Sequence, residues 1–320
     1  MEKRLAITIG DCAGVGPEII LKAMPSYLDE VIVYGSFDVL SFYNEKHAYH
    51  YPLLKIDEPK DAIEKHLNII DCADLKMIDF NIGALSPACG KAAYLYLENA
   101  VKDAMSHKVK AIVTCPLNKE ALHAGGYSYA GHTEILGQLT GTKNYAMLLW
   151  SEKLKTIHVS THVSLKTAIE RVQKKRIIDV TLLAKQILTN AGYENPRIAI
   201  AGLNPHAGEN GLFGDEEIRE IIPAVSELKT MGFNVEGPIA PDTVFLRCYK
   251  GEYDLVVAMY HDQGHIPLKL ADFDGGVNIT CGLPIVRTSV DHGTAFDIAG
   301  TNKAREDSLL QALAIAKKIV

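Results

Sequence analysis

Short apolar runs alternate with helical patterns along the whole chain, and this alternation constrains the fold more than any other feature. Runs such as LAITIG (5–10), VKAIVTCP (109–116) and DLVVAMYHD (254–262) have the length and composition of buried strands. Strands that alternate with helices predict the α/β class with mostly parallel sheets. AMLLW (146–150) and KTIHVSTHV (155–163) follow each other so closely that they predict a hairpin, and with it an antiparallel piece in one sheet.

The length of 320 residues predicts about two domains. No Pro-, Gly- or Ser-rich linker divides the sequence into two halves. We therefore expect two α/β/α domains between which the chain crosses more than once. The predicted bounds are 1–125 plus 270–320 for a discontinuous domain, and 126–269 for the other.

Composition excludes several classes of protein. The net charge of −6 argues against a nucleic-acid partner or an anionic membrane surface. No apolar stretch reaches the length that spans a membrane, and the apolar run after residue 4 is too short for a secretory signal. The six cysteines are scattered without a C-x-x-C pair, which predicts reduced thiols in a cytoplasmic protein.

Six polar or glycine-rich clusters come directly after predicted strands. In open α/β sheets, ligands bind outside the carboxyl ends of the strands. We therefore expect these clusters to share one crevice. They are GDCAGVGPE (10–18), AGHTE (130–134), STHVSL (160–165), GLNPHAGE (202–209), YHDQGHIPLK (260–269) and RTSVDHGTAFDIAG (287–300).

Three histidines, His162, His206 and His261, each end or follow a strand-like run. Three neutral imidazoles can bind a divalent ion and leave one position open for substrate or water. Each of them, taken alone, also fits an ordinary half-buried histidine. His158 is predicted to be a packing residue of its strand. His265 is placed in a loop after His261, as a candidate contact to substrate or to a ligand.

Anion-binding side chains follow the same strands. Lys269, Asn278 and Arg287 come in order after the YHDQG cluster, and His132 and Thr133 lie in a turn flanked by glycine. The arginine fork and the lysine point charge are suited to phosphate or carboxylate. The alternative is that the two cations are solvated surface charges, which the apolar surroundings of GVNITCGLP (276–284) disfavour.

The first glycine-rich loop is ambiguous. The chain has no G-x-G-x-x-G after a strand and no Walker loop. In GDCAGVGPE, Pro17 opens the next helix, so the loop amides could serve an anion at a helix start. A plain strand-to-helix turn explains the glycines equally well.

Together these clusters, with CPLNKEAL (115–122) and PDTVF (241–245), resemble the 4-hydroxythreonine-4-phosphate dehydrogenase family over nearly the whole chain. That family is related to the isocitrate and isopropylmalate dehydrogenases, which bind NAD without the G-x-G-x-x-G fingerprint. The resemblance implies two α/β/α domains of the isocitrate/isopropylmalate dehydrogenase type with an active-site cleft between them. It also implies a homodimer whose partner subunit completes that site.

The resemblance implies a role for individual residues as well. The domain 1–125 plus 270–320 would contribute much of the NAD site, and 126–269 would carry the metal ligands and the dimer contacts. His162, His206 and His261 would hold one divalent ion, with Zn, Mg, Mn and Co all open. Substrate contacts would come from His132, Thr133, Lys269, Asn278 and Arg287. The cofactor, NAD with NADP left open, would contact Gly14, Gly16, His292, Gly293, Thr294, Ala295 and Asp297.

Two residues depart from the family pattern. Cys12 stands where the family usually has proline, and His265 stands where the vitamin B6 (pyridoxine biosynthesis) branch usually has an apolar residue. The Q-G-H-I-P-L-K run resembles a sister branch that acts on 4-phospho-D-threonate or 4-phospho-D-erythronate. The substrate is therefore either one of these acids or 4-phosphohydroxy-L-threonine, and a related dihydrodiol dehydrogenase branch acts on an unphosphorylated compound.

The expected reaction is oxidation of a 3-hydroxy acid, in which the metal polarises the hydroxyl, hydride leaves C3 for NAD and CO₂ is then lost. Asp242 and Lys269 are the two candidate bases, and the sequence does not choose between them. Two rival classes stay open: a three-histidine metal hydrolase or lyase without a dinucleotide, and a non-catalytic sugar-phosphate binding protein.

Overall fold

The structure is a computed structural model, and it describes residues 3–272 and 275–320. The strands, in chain order, are β1 (Leu5–Thr8), β2 (Val31–Tyr34), β3 (Leu53–Lys55), β4 (Leu67–Ile70), β5 (Ala111–Thr114), β6 (Ala146–Trp150), β7 (Lys155–His158), β8 (Ile198–Ala201), β9 (Val235–Ile239), β10 (Leu255–Ala258), β11 (Val277–Cys281) and β12 (Val286–Ser289). The helices are α1 (Gly16–Tyr27), α2 (Phe37–Lys46), α3 (Pro87–Met105), α4 (Lys119–Ala124), α5 (His132–Leu139), α6 (Leu165–Glu170), α7 (Lys174–Asn190), α8 (Ile222–Thr230), α9 (Pro241–Tyr249), α10 (His261–Ala271) and α11 (Asp307–Ile319).

The chain forms two compact units. Unit 1 contains residues 1–143, 283–318 and 320, and unit 2 contains residues 144–282 and 319. The chain thus crosses between units at 143/144 and 282/283, later than the predicted 125/126 and 269/270. No linker composition marks either crossing, so their exact positions cannot be predicted from the sequence. One consequence is that His132 and Thr133 belong to unit 1.

Unit 1 is built on a fully parallel sheet with the strand order β3-β4-β2-β1-β5-β12. The central strands β1, β2 and β5 are buried along their whole length, as continuous apolar runs of a two-sided parallel sheet are. The carboxyl ends of β1, β5 and β12 therefore lie next to one another. The predicted cofactor residues follow β1 and β12, and Arg287 lies within β12.

Unit 2 is built on a mixed sheet with the order β11-β6-β7-β10-β8-β9. The predicted hairpin is confirmed, since β6 pairs antiparallel with β7, and β6 also pairs antiparallel with β11. The strands β7, β10, β8 and β9 are parallel to one another. Because β10 lies between β7 and β8, the loops that follow these three strands leave the sheet at one edge.

The core of unit 2 explains why its strands stay in place. One apolar cluster packs strand residues such as Leu149 and Val256 against Phe245 of α9 and Leu268 of α10. A fully buried side chain of this size stabilises the fold by about 1.5–3 kcal/mol. Within the described residues, no helix has both the length and the apolarity that crossing a membrane requires.

Candidate active site

Two of the three predicted metal ligands lie together at the carboxyl edge of the unit 2 sheet. His162 follows β7 and His261 opens α10 after β10, and their ring centroids are 5.6 Å apart. Both line a cavity of about 450 Å³, together with Ser164, Tyr260 and Asp262. The Nδ1 atom of His261 lies 2.6 Å from a carboxylate oxygen of Asp262, which fixes the ring orientation. Neighbouring parallel strands thus bring together two residues that are 99 positions apart in the sequence.

His265 corrects the expectation of a loop after His261. The structure places both residues in α10, where residues four apart lie on one face. Their rings stack at 3.6 Å with an interplanar angle of 13°, and the Nδ1 atom of His265 lies 2.9 Å from the carbonyl oxygen of His261. The His265 ring therefore packs against His261, the predicted metal ligand, and limits its movement. Gly264 and Pro267 lie inside this helix, and because both residue types are typical of loops, the sequence did not predict the helical spacing of His261 and His265.

His158 is a packing residue, as predicted from its position in the strand. Its side chain is buried, its Nδ1 atom lies 3.1 Å from the carbonyl oxygen of Met147, and its ring lies 4.6 Å from that of His265. Burial, with a smaller contribution from His265, lowers the pKa of His158 to about 3. The imidazole is therefore neutral at physiological pH.

The third predicted ligand, His206, lies in an unusual stretch of backbone after β8. Residues 206–210, called the left-handed segment below, all have positive φ, with values of 52°, 53°, 80°, 43° and 55°. Only the third of them is glycine, and the left-handed conformation costs other residues roughly 1–2 kcal/mol each. His206 is exposed, and its ring centroid lies 6.1 Å from that of Phe213.

The donor set of a metal site is incomplete in this arrangement. Among the described residues, no group of three or more His, Cys, Asp or Glu side chains has a geometry that could hold a metal ion. His162 and His261 offer two imidazoles, whereas a catalytic zinc usually takes three protein ligands. The set His162, His206 and His261 therefore stays a prediction.

A buried cation lies within β12 of unit 1. Arg287 is 2% exposed, and its Nη2 atom donates a hydrogen bond of 2.6 Å to Thr114 Oγ1 at the end of β5. Burial lowers the pKa of the Arg287 guanidinium to about 9, so the side chain stays charged at neutral pH. The alternative of a solvated surface arginine is thereby excluded. A charge held in a buried site is strongly stabilised by a bound anion.

His132 lies within electrostatic reach of Arg287. Burial first, and then the charge of Arg287, lowers the pKa of His132 well below its usual range. The neutral ring can donate a hydrogen bond to an anion without a second charge. The structure also corrects the expected turn, because His132 and Thr133 begin α5 after Gly131. Their place in the first helical turn adds the positive end of the helix dipole to this part of unit 1.

The remaining predicted substrate and catalytic residues belong to unit 2. Asn278 in β11 has a buried amide oxygen for which the described residues provide no hydrogen-bond partner, so it could accept a bond from a hydroxyl or ammonium group. Lys269 is half-buried in the last turn of α10, and Asp242 is exposed in the first turn of α9. The choice of base between these two residues stays open.

The glycine-rich loop after β1 packs against the 292–300 loop of unit 1 and is hydrogen-bonded to it. The amide of Val15 donates to the carbonyl oxygen of Thr294 (3.0 Å), and a Cβ on Gly14 would lie 2.7 Å from that same oxygen. The amide of Gly14 is also used, since it donates to the carbonyl oxygen of Asp11 (3.0 Å). These bonds favour the interpretation of the loop as a tight structural turn. A cofactor contact at Gly14 and Gly16 stays a prediction.

The other part of the predicted cofactor loop is open. A Cβ added at Gly293 would meet no atom within 4 Å, His292 and Asp297 are exposed, and Ala295 has a φ of 45°. Accessible backbone beside an exposed carboxylate fits the ribose and adenine portion of a dinucleotide. The predicted residues His292, Gly293, Thr294, Ala295 and Asp297 thus include the accessible stretch of this loop.

Sequence reasoning missed two buried carboxylates that hold the site loops. Glu18 in α1 accepts hydrogen bonds from the amides of Gly300 (2.8 Å) and Asn302 (2.5 Å) and lies 3.3 Å from the His47 ring nitrogen. Glu217 does the same for the loop after β8. The signal for Glu18 was its position in the first turn of α1, whereas nothing in the sequence around Glu217 distinguishes it from its acidic neighbours.

Comparison with known proteins identifies the family. Residues 27–316 match the family model described as pyridoxal phosphate biosynthetic protein PdxA. The chain is 47% identical to the D-threonate 4-phosphate dehydrogenase of Pectobacterium atrosepticum, with all of both chains covered. It is 43% identical to the 4-hydroxythreonine-4-phosphate dehydrogenase of Aquifex aeolicus, over 100% of this chain and 99% of that one.

A solved structure shows the same fold. The 4-hydroxythreonine-4-phosphate dehydrogenase of Klebsiella pneumoniae superposes with a TM-score of 0.89 at 47% identity, and 99% of each chain is covered. The family resemblance drawn from the site motifs is therefore confirmed over the full length, and this chain belongs to the PdxA family.

Proposed function

We propose that this protein is an NAD-dependent oxidoreductase that oxidises the CH–OH group of a 4-phosphorylated 3-hydroxy acid, with subsequent decarboxylation. The observation that carries the proposal is the buried Arg287 with Thr114 and His132, in a family whose named members act on phosphorylated hydroxy acids. We favour 4-phospho-D-threonate as substrate over 4-phosphohydroxy-L-threonine. The reason is the somewhat higher identity to the relative named for D-threonate 4-phosphate.

Arg287 binds an anionic group of the substrate in this proposal. Its guanidinium can offer two parallel donors to a phosphate or carboxylate, and Thr114 fixes the orientation of the fork. Neutral His132 and Thr133 add donors from the first turn of α5. Binding energy gained at the phosphate, remote from C3, positions the reacting carbon and so contributes to the rate.

The 292–297 loop holds the dinucleotide. Gly293 leaves its backbone accessible, and the exposed carboxylate of Asp297 can accept hydrogen bonds from ribose hydroxyls. A nicotinamide held by this loop would supply the hydride acceptor for C3. Discrimination between NAD and NADP is carried by the same loop, since a 2′-phosphate beside Asp297 would be repelled.

A proton leaves the hydroxyl of the substrate as the alcohol becomes a ketone. Lys269 is half-buried and Asp242 exposed, so Lys269 is better shielded from water and is our first candidate for the base. The amide oxygen of Asn278 can accept a hydrogen bond from the substrate and hold it in place. The oxidised product is a β-keto acid, which loses CO₂ through an enolate.

A divalent metal at His162, His206 and His261 remains part of the proposal, but no step above is assigned to it. Support comes from the short distance between His162 and His261 beside the cavity. Calorimetric titration with Zn²⁺, Mn²⁺, Mg²⁺ and Co²⁺ tests the site directly. We expect His261→Ala to lower the affinity by more than tenfold.

A homodimer and a cytoplasmic location complete the proposal. Unit 2 exposes several large apolar side chains, which a partner subunit would cover; among them are Leu165, Leu212, Phe213, Leu246, Ile266 and Leu270. All six cysteines are free, which fits a reducing compartment. A role in pyridoxine biosynthesis goes with the amino-acid substrate and is the less favoured assignment.

The test is a substrate panel followed by absorbance at 340 nm. The panel contains 4-phospho-D-threonate, 4-phospho-D-erythronate and 4-phosphohydroxy-L-threonine, each with NAD or NADP and each divalent ion. We expect turnover with NAD, highest for 4-phospho-D-threonate. Arg287→Lys keeps the charge but loses the two-pronged fork, and should raise KM by roughly 10²-fold.

Arg305→Lys is the matched control, because Arg305 lies in an exposed pair with Asp307. It should leave KM unchanged. No absorbance change with any substrate, together with no thermal shift on adding NAD, would favour a metal hydrolase or lyase. Substrate binding without turnover would favour a sugar-phosphate binding protein.

A further inference from the structure

The left-handed segment calls for support, because two of its five residues, Ala207 and Glu209, do not favour positive φ. Local backbone hydrogen bonds support part of it: the Ala207 amide donates to the Asn204 carbonyl oxygen (3.1 Å), the Leu212 amide to that of Glu209 (3.2 Å) and the Phe213 amide to that of Gly208 (3.2 Å). Besides these local bonds, the residues that precede the segment are held by a side chain from farther along the chain.

A buried carboxylate lies directly beneath this stretch. Glu217 is 1% exposed, and its Oε1 atom accepts hydrogen bonds from the amides of Leu203 (2.7 Å) and Asn204 (2.8 Å). Its Oε2 atom accepts a third bond from Asn204 Nδ2 (2.8 Å). The two residues that lead into the left-handed segment are thus held by one side chain.

The same carboxylate also limits the far side of the segment. A Cβ on Gly208 would lie 2.8 Å from Glu217 Oε2, so the backbone of residue 208 packs against the carboxylate. Glu217 itself opens a π-helical turn, Glu217–Ile221, directly before α8. Such turns are rare and occur frequently at functional sites.

We propose that Glu217 is a positioning residue that holds the left-handed segment and thereby the direction in which His206 points. The proposal rests on the proposed function only for the role of His206; the support of the backbone stands independently. Glu217 acts through three accepted hydrogen bonds and touches no substrate.

Glu217→Gln tests the carboxylate with almost no change in shape. Its new amide group would face Asn204 Nδ2, so two donors would meet. The Asn204 side chain cannot turn over without loss, because Nδ2 also donates to Glu216 Oε2 (2.8 Å). Asp215→Asn is the matched control, since Asp215 carries the same charge but lies in an exposed pair with Arg219.

The first measurement is limited proteolysis with chymotrypsin, with mass spectrometry locating cleavage after Leu212 or Phe213, both exposed. We expect cleavage there to be about tenfold faster in Glu217→Gln than in the wild type and in Asp215→Asn. The second is steady-state kinetics, where kcat should fall about tenfold while KM for NAD stays within twofold. Equal cleavage rates in the two variants would overturn the proposal.

A further outcome separates the role of Glu217 from the role of His206, and a second variant keeps the proposal testable. Faster cleavage with unchanged kcat would support the role of Glu217 and contradict the role of His206 in the proposed function. If Glu217→Gln does not fold, Asn204→Ala is used instead, because it removes the side-chain bonds of Asn204 to Glu217 Oε2 and Glu216 Oε2 and keeps the two backbone bonds to Glu217 Oε1. It should change cleavage and kcat in the same direction by about threefold, and wild-type values for both would overturn the proposal.

Discussion

The glycine loop of unit 1 and the left-handed segment of unit 2 both follow a strand of a parallel sheet, yet each achieves its shape differently. In the unit 1 loop, Gly14 and Gly16 stand where a Cβ would collide with neighbouring backbone. In unit 2, His206, Ala207, Glu209 and Asn210 keep their side chains in a conformation that glycine adopts more easily. In the first loop, the residue types suit the backbone conformation. In the second, residues other than glycine are held in a conformation that they disfavour.

This difference suggests what each region is for. Glycines in unit 1 allow the loop after β1 to pack closely against the Thr294 backbone, so the residues are small because the space is small. In unit 2 the strained backbone persists because Glu217 supports it. Strain kept at an exposed loop that carries a candidate ligand is typical of functional positions.

The largest effect should come from filling the space in unit 1. Gly16→Ala places a Cβ against the carbonyl oxygen of Ile9, which is backbone and cannot move aside cheaply. We expect the free energy of unfolding to fall by about 3 kcal/mol, measured by urea denaturation. Gly293→Ala is the control, because a Cβ there meets no atom within 4 Å, and it should change stability by less than about 0.5 kcal/mol. Similar losses in both variants would contradict the packing argument.

Asp11 provides the second test in the same loop. Its side chain is buried, Oδ1 accepts a bond from the Ala13 amide (2.9 Å), and burial raises its pKa to about 6. The unfolded chain loses this proton near pH 4 and the folded chain near pH 6. The folded state therefore loses stability as pH rises through that window, and the loss is complete above it.

Asp11→Asn should remove this penalty. The variant is expected to be more stable than the wild type by about 2–3 kcal/mol at pH 8, and the gap should close below pH 4. Thermal melting at pH 4, 6 and 8 measures it. A constant gap across this range would mean that Asp11 does not titrate as described.

The sequence predicted those parts of the fold and site that depend on strand patterns. Continuous apolar runs identified the parallel strands, and the ends of β7 and β10 located His162 and His261. Arg287, which was expected to follow a strand, instead lies within β12. The hydrogen-bond partner of Arg287 was not predictable, because Thr114 is 173 residues away in the sequence and only the pairing of β5 with β12 brings the two residues together.

Local conformation was predicted less well where residues adopt a backbone conformation that their residue type disfavours. Pro267 and Gly264 concealed the helix that stacks His265 on His261. The sequence does not predict the left-handed segment as a whole, because Ala207 and Glu209 do not favour positive φ. Its conformation is a consequence of the hydrogen bonds to Glu217, which are tertiary contacts.

The smallest effect tests the strain in unit 2 directly. Glu209 is exposed at a φ of 43°, so Glu209→Gly should relieve the left-handed penalty and lose little packing. After the entropic cost of glycine, we expect a gain of about 0.5–1 kcal/mol in the free energy of unfolding. Lys229→Gly makes the same kind of change at an exposed site of the right-handed helix α8, and should instead lose about 1 kcal/mol. If both variants are destabilised equally in urea, the segment is not strained, and the contrast with the unit 1 loop disappears.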